Sequence, residues 1–118
     1  MAVKFNEEQK TFTLQTCKST YKMKVDAHGM LLHTYFGPVT DDSDLSYLIA
    51  PDDHGFSAQV GEIVDDRTYS MDYFPLEYAV HGNSDFRISA LRAGKEGSVP
   101  ALDLRYHSHE IKPGKYAL

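Results

Sequence analysis

Tryptophan is absent from this chain, cysteine occurs once, and lysine plus arginine (12) fall short of aspartate plus glutamate (17). Each shortage removes a class of function. The lone Cys17 cannot close an internal disulfide and offers no cysteine pair to zinc. That fits a reducing compartment, and cytoplasm is the expected location. A net charge of -5 argues against a nucleic-acid partner, because phosphate neutralisation needs clustered Lys and Arg. No apolar run approaches the ~18 residues of a membrane-spanning helix, so no membrane partner is expected. The opening MAVKFNEEQK has no apolar core followed by small residues, so no secretory signal is expected either. Gly-x-Ser-x-Gly, Walker and dinucleotide fingerprints are all missing, and Cys17 stands in no recognisable nucleophile context.

What remains is globular in composition. Hydrophobic content of 42% with 25% charged residues separates the chain from disordered sequences. Its 118 residues are one domain's worth, enough to bury a modest core. The first third alternates. Phe12 and Leu14 oppose Thr11, Thr13 and Gln15, and Tyr21, Met23 and Val25 then oppose Lys22 and Lys24. Period two of this kind predicts half-buried strands, with the lysines from Lys18 to Lys24 on a wet face. Lys18-Ser19 and Asp26-Ala27-His28-Gly29 read as turns between them, giving an antiparallel meander. Met30 to Phe36 is apolar on both faces and predicts a central strand covered on both sides, ended by Gly37-Pro38.

Beyond residue 40 the periodicity fades. Asp41-Asp42-Ser43-Asp44 and Pro51 to Ser57 read as loops, with a short apolar patch at Tyr47 to Ile49. Such long irregular segments in a compact domain are usually functional or ordered by a partner. Strand character returns near Phe86 to Leu91 and again from Leu102 to Ile111, with a hairpin-type turn at Gly94-Lys95-Glu96-Gly97. No useful helix is foreseen. The expected fold class is all-β, a mainly antiparallel β-sandwich with long irregular loops over 40–82. Nothing marks a natural end at Leu118, so a fragment with an unpaired strand edge, prone to self-association, is expected.

Asp52 and Asp53, adjacent in a Gly-containing loop, have two readings. They are solvated turn residues, or they present carboxylate oxygens to neighbouring sugar hydroxyls in charge-assisted bonds. Arg67 beside Asp66 either fixes its own loop through planar pairing or lines a pocket rim. His107 and His109, at i and i+2, would share a strand face and could chelate zinc, but no further ligand stands at a supporting spacing, and no metal is expected. Asp41 to Asp44 lacks the later Gly and the bidentate Glu of a calcium loop. A retaining glycosidase needs two carboxylates ~5–5.5 Å apart, and counting acidic residues neither finds nor excludes such a pair.

Three segments carry a family resemblance: MAVKFNEEQKTFTLQT at the start, DRTYSMDYFPLEYAVHGNSDFR over 66–87, and DLRYHSHEIKPGKYAL at the end. Together they resemble the N-terminal region of bacterial α-galactosidases of glycoside hydrolase family 36. The resemblance covers nearly all of the chain. It implies the first part of a large non-catalytic β-sandwich domain (1–118) that packs on a catalytic (β/α) barrel absent from these residues. It also implies a parent that hydrolyses melibiose or raffinose-type galactosides through a covalent intermediate, without nicotinamide or metal, as a homo-oligomer. By the same resemblance, Asp53 falls on the aspartate that hydrogen-bonds the galactosyl unit. Arg67 falls in the family's DRT(Y/F)S, Asp85-Phe86-Arg87 forms a structural ion pair, and Glu77 with Tyr78 anchors the loop. Between Ala58 and Val64 the sequence departs from the Asn-Pro pattern of the family. Two other classes compete: a stand-alone carbohydrate-binding β-sandwich and an oligomerisation domain without ligand.

Overall fold

The computed structural model describes residues 2–53, 55, 60–82 and 84–114. Strands β1 (Ala2–Asn6), β2 (Thr11–Gln15), β3 (Ser19–Val25) and β4 (Leu31–Pro38) form one antiparallel sheet in the order β1-β2-β3-β4. A short 3-10 turn over Ser46–Leu48 is the remaining regular element among the described residues. The all-β, antiparallel expectation holds, in a sandwich-like form where irregular segments cover the sheet.

Each hairpin is closed by a side-chain oxygen that takes backbone N–H groups the ladder cannot reach, a habit of Asn, Asp and Thr in turns. Asn6 Oδ1 accepts from the N–H of Glu8 and of Gln9, both at 3.0 Å. Thr16 Oγ1 accepts from Lys18 (3.1 Å) and Ser19 (2.9 Å). Asp26 Oδ1 accepts from His28 (2.9 Å) and Met30 (2.8 Å), and Gly29 turns the chain at φ 83°. Turns therefore fall at both places that periodicity marks. β1 is the strand that periodicity does not reveal.

The wet lysine face is a correction. The register aligns Lys4, Thr13 and Lys22 across β1, β2 and β3, with Asn6, Thr11 and Lys24 in the next row. Yet Lys22 is only 2% exposed and Thr20 is fully buried. The acidic run after β4 folds back across this face as a strap. Lys22 Nζ donates to the Ser43 carbonyl at 2.7 Å, Lys24 Nζ lies 3.3 Å from Asp44, and Lys4 Nζ lies 2.7 Å from Asp42. Gln15 Nε2 donates to the Thr40 carbonyl (3.0 Å), and the Thr40 N–H donates to Thr20 Oγ1 (3.1 Å). Alternation reports that a face is polar, whereas strand and loop of opposite charge can bury such a face together.

β4 departs from its expected place as well. It is the last strand of the four, and residues 75–77 run beside its outer edge: His33 N–H donates to Pro75 O (2.7 Å) and Glu77 N–H to Leu31 O (2.9 Å). A register irregularity opposite Lys22 and Met23 leaves Thr34 as an extra residue. Leu32 and Thr34 are buried, but Phe36 near the strand end is 70% exposed. The core gathers at the Leu32 end of the sheet, where Met30 and Leu32 meet Val60, Ile63, Tyr69, Met71 and Phe74 from the irregular region. Burial of a side chain such as Leu32 stabilises by about 1.5–3 kcal/mol, so the long loops are held by packing rather than by ladders.

The two late strands do not form. Residues 86–91 contribute one bridge, Val80 with Leu91, and one backbone–backbone bond, Ala90 N–H to Ala79 O at 2.7 Å. Residues 102–111 touch the body through isolated bonds, Leu102 N–H to His81 O (2.8 Å) and Tyr106 N–H to Gly29 O (2.7 Å). Both segments have strand-like composition, but a strand exists only where a neighbouring strand supplies a ladder, and Ile88 is 91% exposed. The turn between them is present as Ser98 N–H to Lys95 O (3.0 Å), though no paired strands flank it.

Candidate functional site

Asp53 and Arg67, both within the irregular region, lie together. Arg67 Nε is 3.4 Å from Asp53 Oδ2, and its Nη2 donates to the Gly55 carbonyl at 3.1 Å. Asp53 Oδ1 accepts the Gly55 N–H at 2.8 Å, an Asx turn that Gly55 permits with φ 73°. The pair is accessible: Arg67 keeps 62% of its side-chain exposure and Asp53 46%. A carboxylate has about four lone-pair sites and a guanidinium five N–H groups, so acceptors and donors remain for a ligand after these contacts. Asp52 is exposed beside them. His54, Phe56 and Ser57 of the expected loop, and Ala58 and Gln59 of the stretch that departs from the family pattern, lie outside the described residues.

Asp66 does not pair with its neighbour Arg67. Its Oδ1 accepts from Thr68 N–H (2.9 Å) and Thr68 hydroxyl (2.6 Å), which holds its carboxyl below the usual range. One residue further, Tyr69 turns inward. Its hydroxyl donates a short hydrogen bond to Asp26 Oδ2, and its ring meets His28 edge-on at 4.6 Å and Phe74 at 4.7 Å. Burial first, then the Asp26 carboxylate, pushes the Tyr69 hydroxyl well up. The Arg67 end of the loop is thereby tied to the β3–β4 turn.

That same turn is gripped from the far end of the chain. Arg105 pairs with Asp103 (Nε to Oδ1 3.0 Å, Nη2 to Oδ2 2.8 Å) and with Glu62. These hydrogen bonds, Asp103 first and Glu62 second, raise its guanidinium further above its ordinary value. Neither Asp26 nor Arg105 carries a local sequence signal for this role, since their partners lie 43 residues away for Asp26–Tyr69 and 77 for Arg105–His28.

Asp85 and Arg87 form the expected structural ion pair. Asp85 is 3% exposed; Arg87 Nε donates to its Oδ1 and Nη2 to its Oδ2, both at 3.0 Å. Arg87 also donates to the carbonyls of Phe74 (2.6 Å) and Met71. Glu77 anchors as expected: it accepts from the Tyr21 hydroxyl (2.7 Å to Oε1), with His33 Nδ1 3.3 Å away. Burial first, then this carboxylate, pushes the Tyr21 hydroxyl up to about 12. Tyr78, by contrast, is 60% exposed, a correction explained by its position beyond the residues that line β4.

His109 does not share a strand face with His107, because no strand forms there. Its ring packs on Phe5 (4.3 Å) and Phe12 (4.9 Å), and its Nδ1 meets the Tyr106 hydroxyl at 2.7 Å. His107 is exposed. Asp41 caps Ser43, while Asp44 caps Ser46 and pairs with Lys24, so the acidic run spends its oxygens on the strap.

An antiparallel sheet covered by irregular segments, with one accessible Asp–Arg pair carried on a loop, defines an all-β, sandwich-like domain. The comparisons make the class particular. The glycosyl hydrolase family 36 N-terminal domain matches residues 29–118, and the chain belongs to that family. Over 118 residues it is 43% identical to the bifunctional alpha-galactosidase/sucrose kinase AgaSK of Mediterraneibacter gnavus, covering 100% of this chain and 12% of AgaSK. The solved galactosidase domain of AgaSK superposes with a TM-score of 0.91 over 99% of this chain and 16% of that one, at 43% identity. An AgaA variant from Geobacillus stearothermophilus, solved in complex with raffinose, matches with a TM-score of 0.74 and 33% identity over 84% of this chain and 14% of that one. The chain thus spans a small fraction, between about an eighth and a sixth, of the relatives it matches.

Proposed function

We propose that residues 1–118 are the N-terminal portion of the non-catalytic β-sandwich domain of a retaining α-galactosidase acting on melibiose or raffinose-type substrates. In this reading the domain supplies structural and oligomer contacts and lends the loop over 51–67 to the galactose pocket. The catalytic carboxylates belong to a (β/α) barrel outside these residues, no cofactor takes part, and the parent works in the cytoplasm as a homo-oligomer. Asp53 orients galactose hydroxyls so that the anomeric carbon faces the nucleophile, a positioning role rather than chemistry. Arg67 holds the Asp53 carboxylate and offers its remaining N–H groups at the pocket rim.

The observation that carries the reading is the accessible Asp53–Arg67 pair in a chain of this family. Two side chains from separate stretches of one loop are brought together at the surface with unspent hydrogen-bonding capacity, as a site completed from outside requires. The test is a chimera in which these residues replace the matching segment of the AgaSK galactosidase domain. Asp53→Ala in that chimera removes a charge-assisted bond of about 1.5–3 kcal/mol, so kcat/KM for melibiose or raffinose falls by roughly 10- to 150-fold. The 118-residue chain alone turns over neither sugar. A chimera whose kcat/KM is indifferent to Asp53→Ala would remove the sugar-positioning role, and turnover by the isolated chain would place a catalytic pair within it.

A further inference from the structure

The loop that carries Asp53 and Arg67 also borders a cleft of about 320 Å³, which neither of those two residues lines. Leu32, Ile49 and Phe74 contribute apolar surface, and Lys24, His28, Ser46 and Asp66 bring polar atoms to it. Pro51 and Thr68 also border it, so it opens on the same loop that holds Asp53.

The unspent polar capacity of this lining is of mixed kind. His28 is exposed, its ring rests edge-on against Tyr69, and neither ring nitrogen has a hydrogen-bond partner among the described residues. Asp66 commits Oδ1 to Thr68 and leaves Oδ2 without a hydrogen bond among them. Lys24 Nζ has one bond, to Asp44 at 3.3 Å, leaving further donors. The hydroxyls of Ser46 and Thr68 donate to Asp44 and Asp66 and retain acceptor sites. The Lys24 ammonium, the His28 ring and the Asp26 and Asp66 carboxylates therefore border one apolar floor. An anion would meet Asp26 and Asp66, and a cation would meet Lys24. A neutral polyhydroxylated ring suits both signs at once, with its C–H face on the aliphatic and aromatic floor. The volume is at the low end of ligand sites, the size for one ring rather than a long oligosaccharide.

We propose that this cleft binds a single neutral hexose unit, as a saccharide site carried by the domain itself and separate from Asp53. It rests on the chemistry of the cleft and needs no barrel to complete it.

The test is an amide-detected NMR titration of this chain with galactose and, separately, raffinose. Saturable shifts are expected at Lys24, His28, Ser46 and Thr68, with millimolar affinity, and they persist in Asp53→Asn. His28→Ala and Lys24→Met, each judged folded from its own spectrum, weaken that binding about fivefold or more, as loss of a hydrogen bond implies. The titration of the unsubstituted chain decides by itself as well, since saturable shifts that spare Lys24, His28, Ser46 and Thr68 overturn the inference whether or not a variant folds. Shifts confined to Asp53, Gly55 and Arg67 and abolished by Asp53→Asn would overturn the inference while supporting the galactose-positioning reading. Absence of any shift at high millimolar sugar would overturn it too, leaving that reading to the chimera. Binding unchanged in both cleft variants would also overturn it.

Discussion

Replacing Arg87 by Met tests whether the irregular region is held by its buried ion pair. Arg87 spans three partners at once: the Asp85 carboxylate, the Phe74 carbonyl and the Met71 carbonyl. Met fills much of the same volume, so lost packing is minor. What it leaves is a carboxylate that is 3% exposed and has lost its guanidinium partner. Removing one partner of a buried pair typically costs ~3–5 kcal/mol, and the third of the Arg87 side chain that stays exposed places this case near the lower end, about 3 kcal/mol. For a chain of 118 residues, at about 4 °C per kcal/mol, the melting temperature falls by roughly 12 °C. Thermal and urea unfolding followed by circular dichroism read this directly, a suitable probe because tryptophan is absent. Asp85→Asn keeps both carbonyl contacts and an oxygen for Arg87, and costs about 1–2 kcal/mol. The double variant removes the buried charge together with its partner. It is therefore about 1 kcal/mol more stable than additivity of the single changes predicts. An Arg87→Met variant within about 1 kcal/mol of the parent, or strict additivity in the cycle, would refute the assignment of this pair as the clamp on residues 71–87.

Glu77→Gln leaves the Tyr21 hydroxyl with a neutral acceptor and costs about 1–2 kcal/mol. It also lowers the Tyr21 value from about 12 towards the ordinary 10, a change seen as earlier tyrosinate absorbance relative to a Tyr21→Phe control. Tyr21 and Tyr69 are both raised in the folded state, so their contribution is fully present below the unfolded value near 10 and lost as pH rises through the folded values. Alkaline unfolding should therefore set in above pH ~10. The acid side runs the other way. Ser43 lowers Asp41 and Thr68 lowers Asp66; for Asp44, burial opposes but the Ser46 groups and Lys24 outweigh it. Their stabilisation is present above the unfolded value of ~4 and lost as pH falls through the folded values. Urea midpoints should drop as pH falls below ~5 and go on falling through the folded values, with a shallower drop in Asp44→Asn. Gly82 sits at φ 142° with an added Cβ only 2.5 Å from the Leu102 carbonyl oxygen, so Gly82→Ala should release residues 102–106. Hydrogen exchange at the Leu102 and Tyr106 amides would detect it.

The β2–β3 and β3–β4 hairpins were legible because their information is local. Period two, Asp26 and Gly29 together specify β3, a turn and β4 with no help from elsewhere. The fate of the lysine face was not, because Lys22 is buried by Ser43 and Lys24 by Asp44, each about twenty residues away. Residues 86–91 and 102–111 mislead for the opposite reason: their composition states what they would do beside a strand, and sequence does not say whether one is there. At the site, Asp53 was marked by its Gly-containing loop and by family resemblance, and Arg67 by its motif. That they meet each other was marked by nothing local. Tyr78 shows the limit of motif transfer, since it sits beside Glu77 in the family pattern yet faces solvent.

The location of the loop follows from what holds its two ends. On the leading side, Ser46 is capped by Asp44, which pairs with Lys24 near the end of β3, and Ile49 packs against the core. On the trailing side, Tyr69 hydrogen-bonds Asp26 at the start of the next turn and packs on His28. Both posts therefore stand on the same short stretch of the sheet, residues 24–28, although they are more than twenty residues apart in sequence. An exposed ion pair such as Asp53–Arg67 is worth only ~0–1 kcal/mol and could not by itself fix a loop of this length. Ordering must come instead from the posts, whose contacts are partly buried, and the Asp53–Arg67 pair then sets only the orientation of the two side chains. It follows that the β3–β4 turn controls the candidate site from below. A change at Asp26, which touches neither Asp53 nor Arg67, should disturb both, whereas breaking the exposed pair should leave the fold as it was.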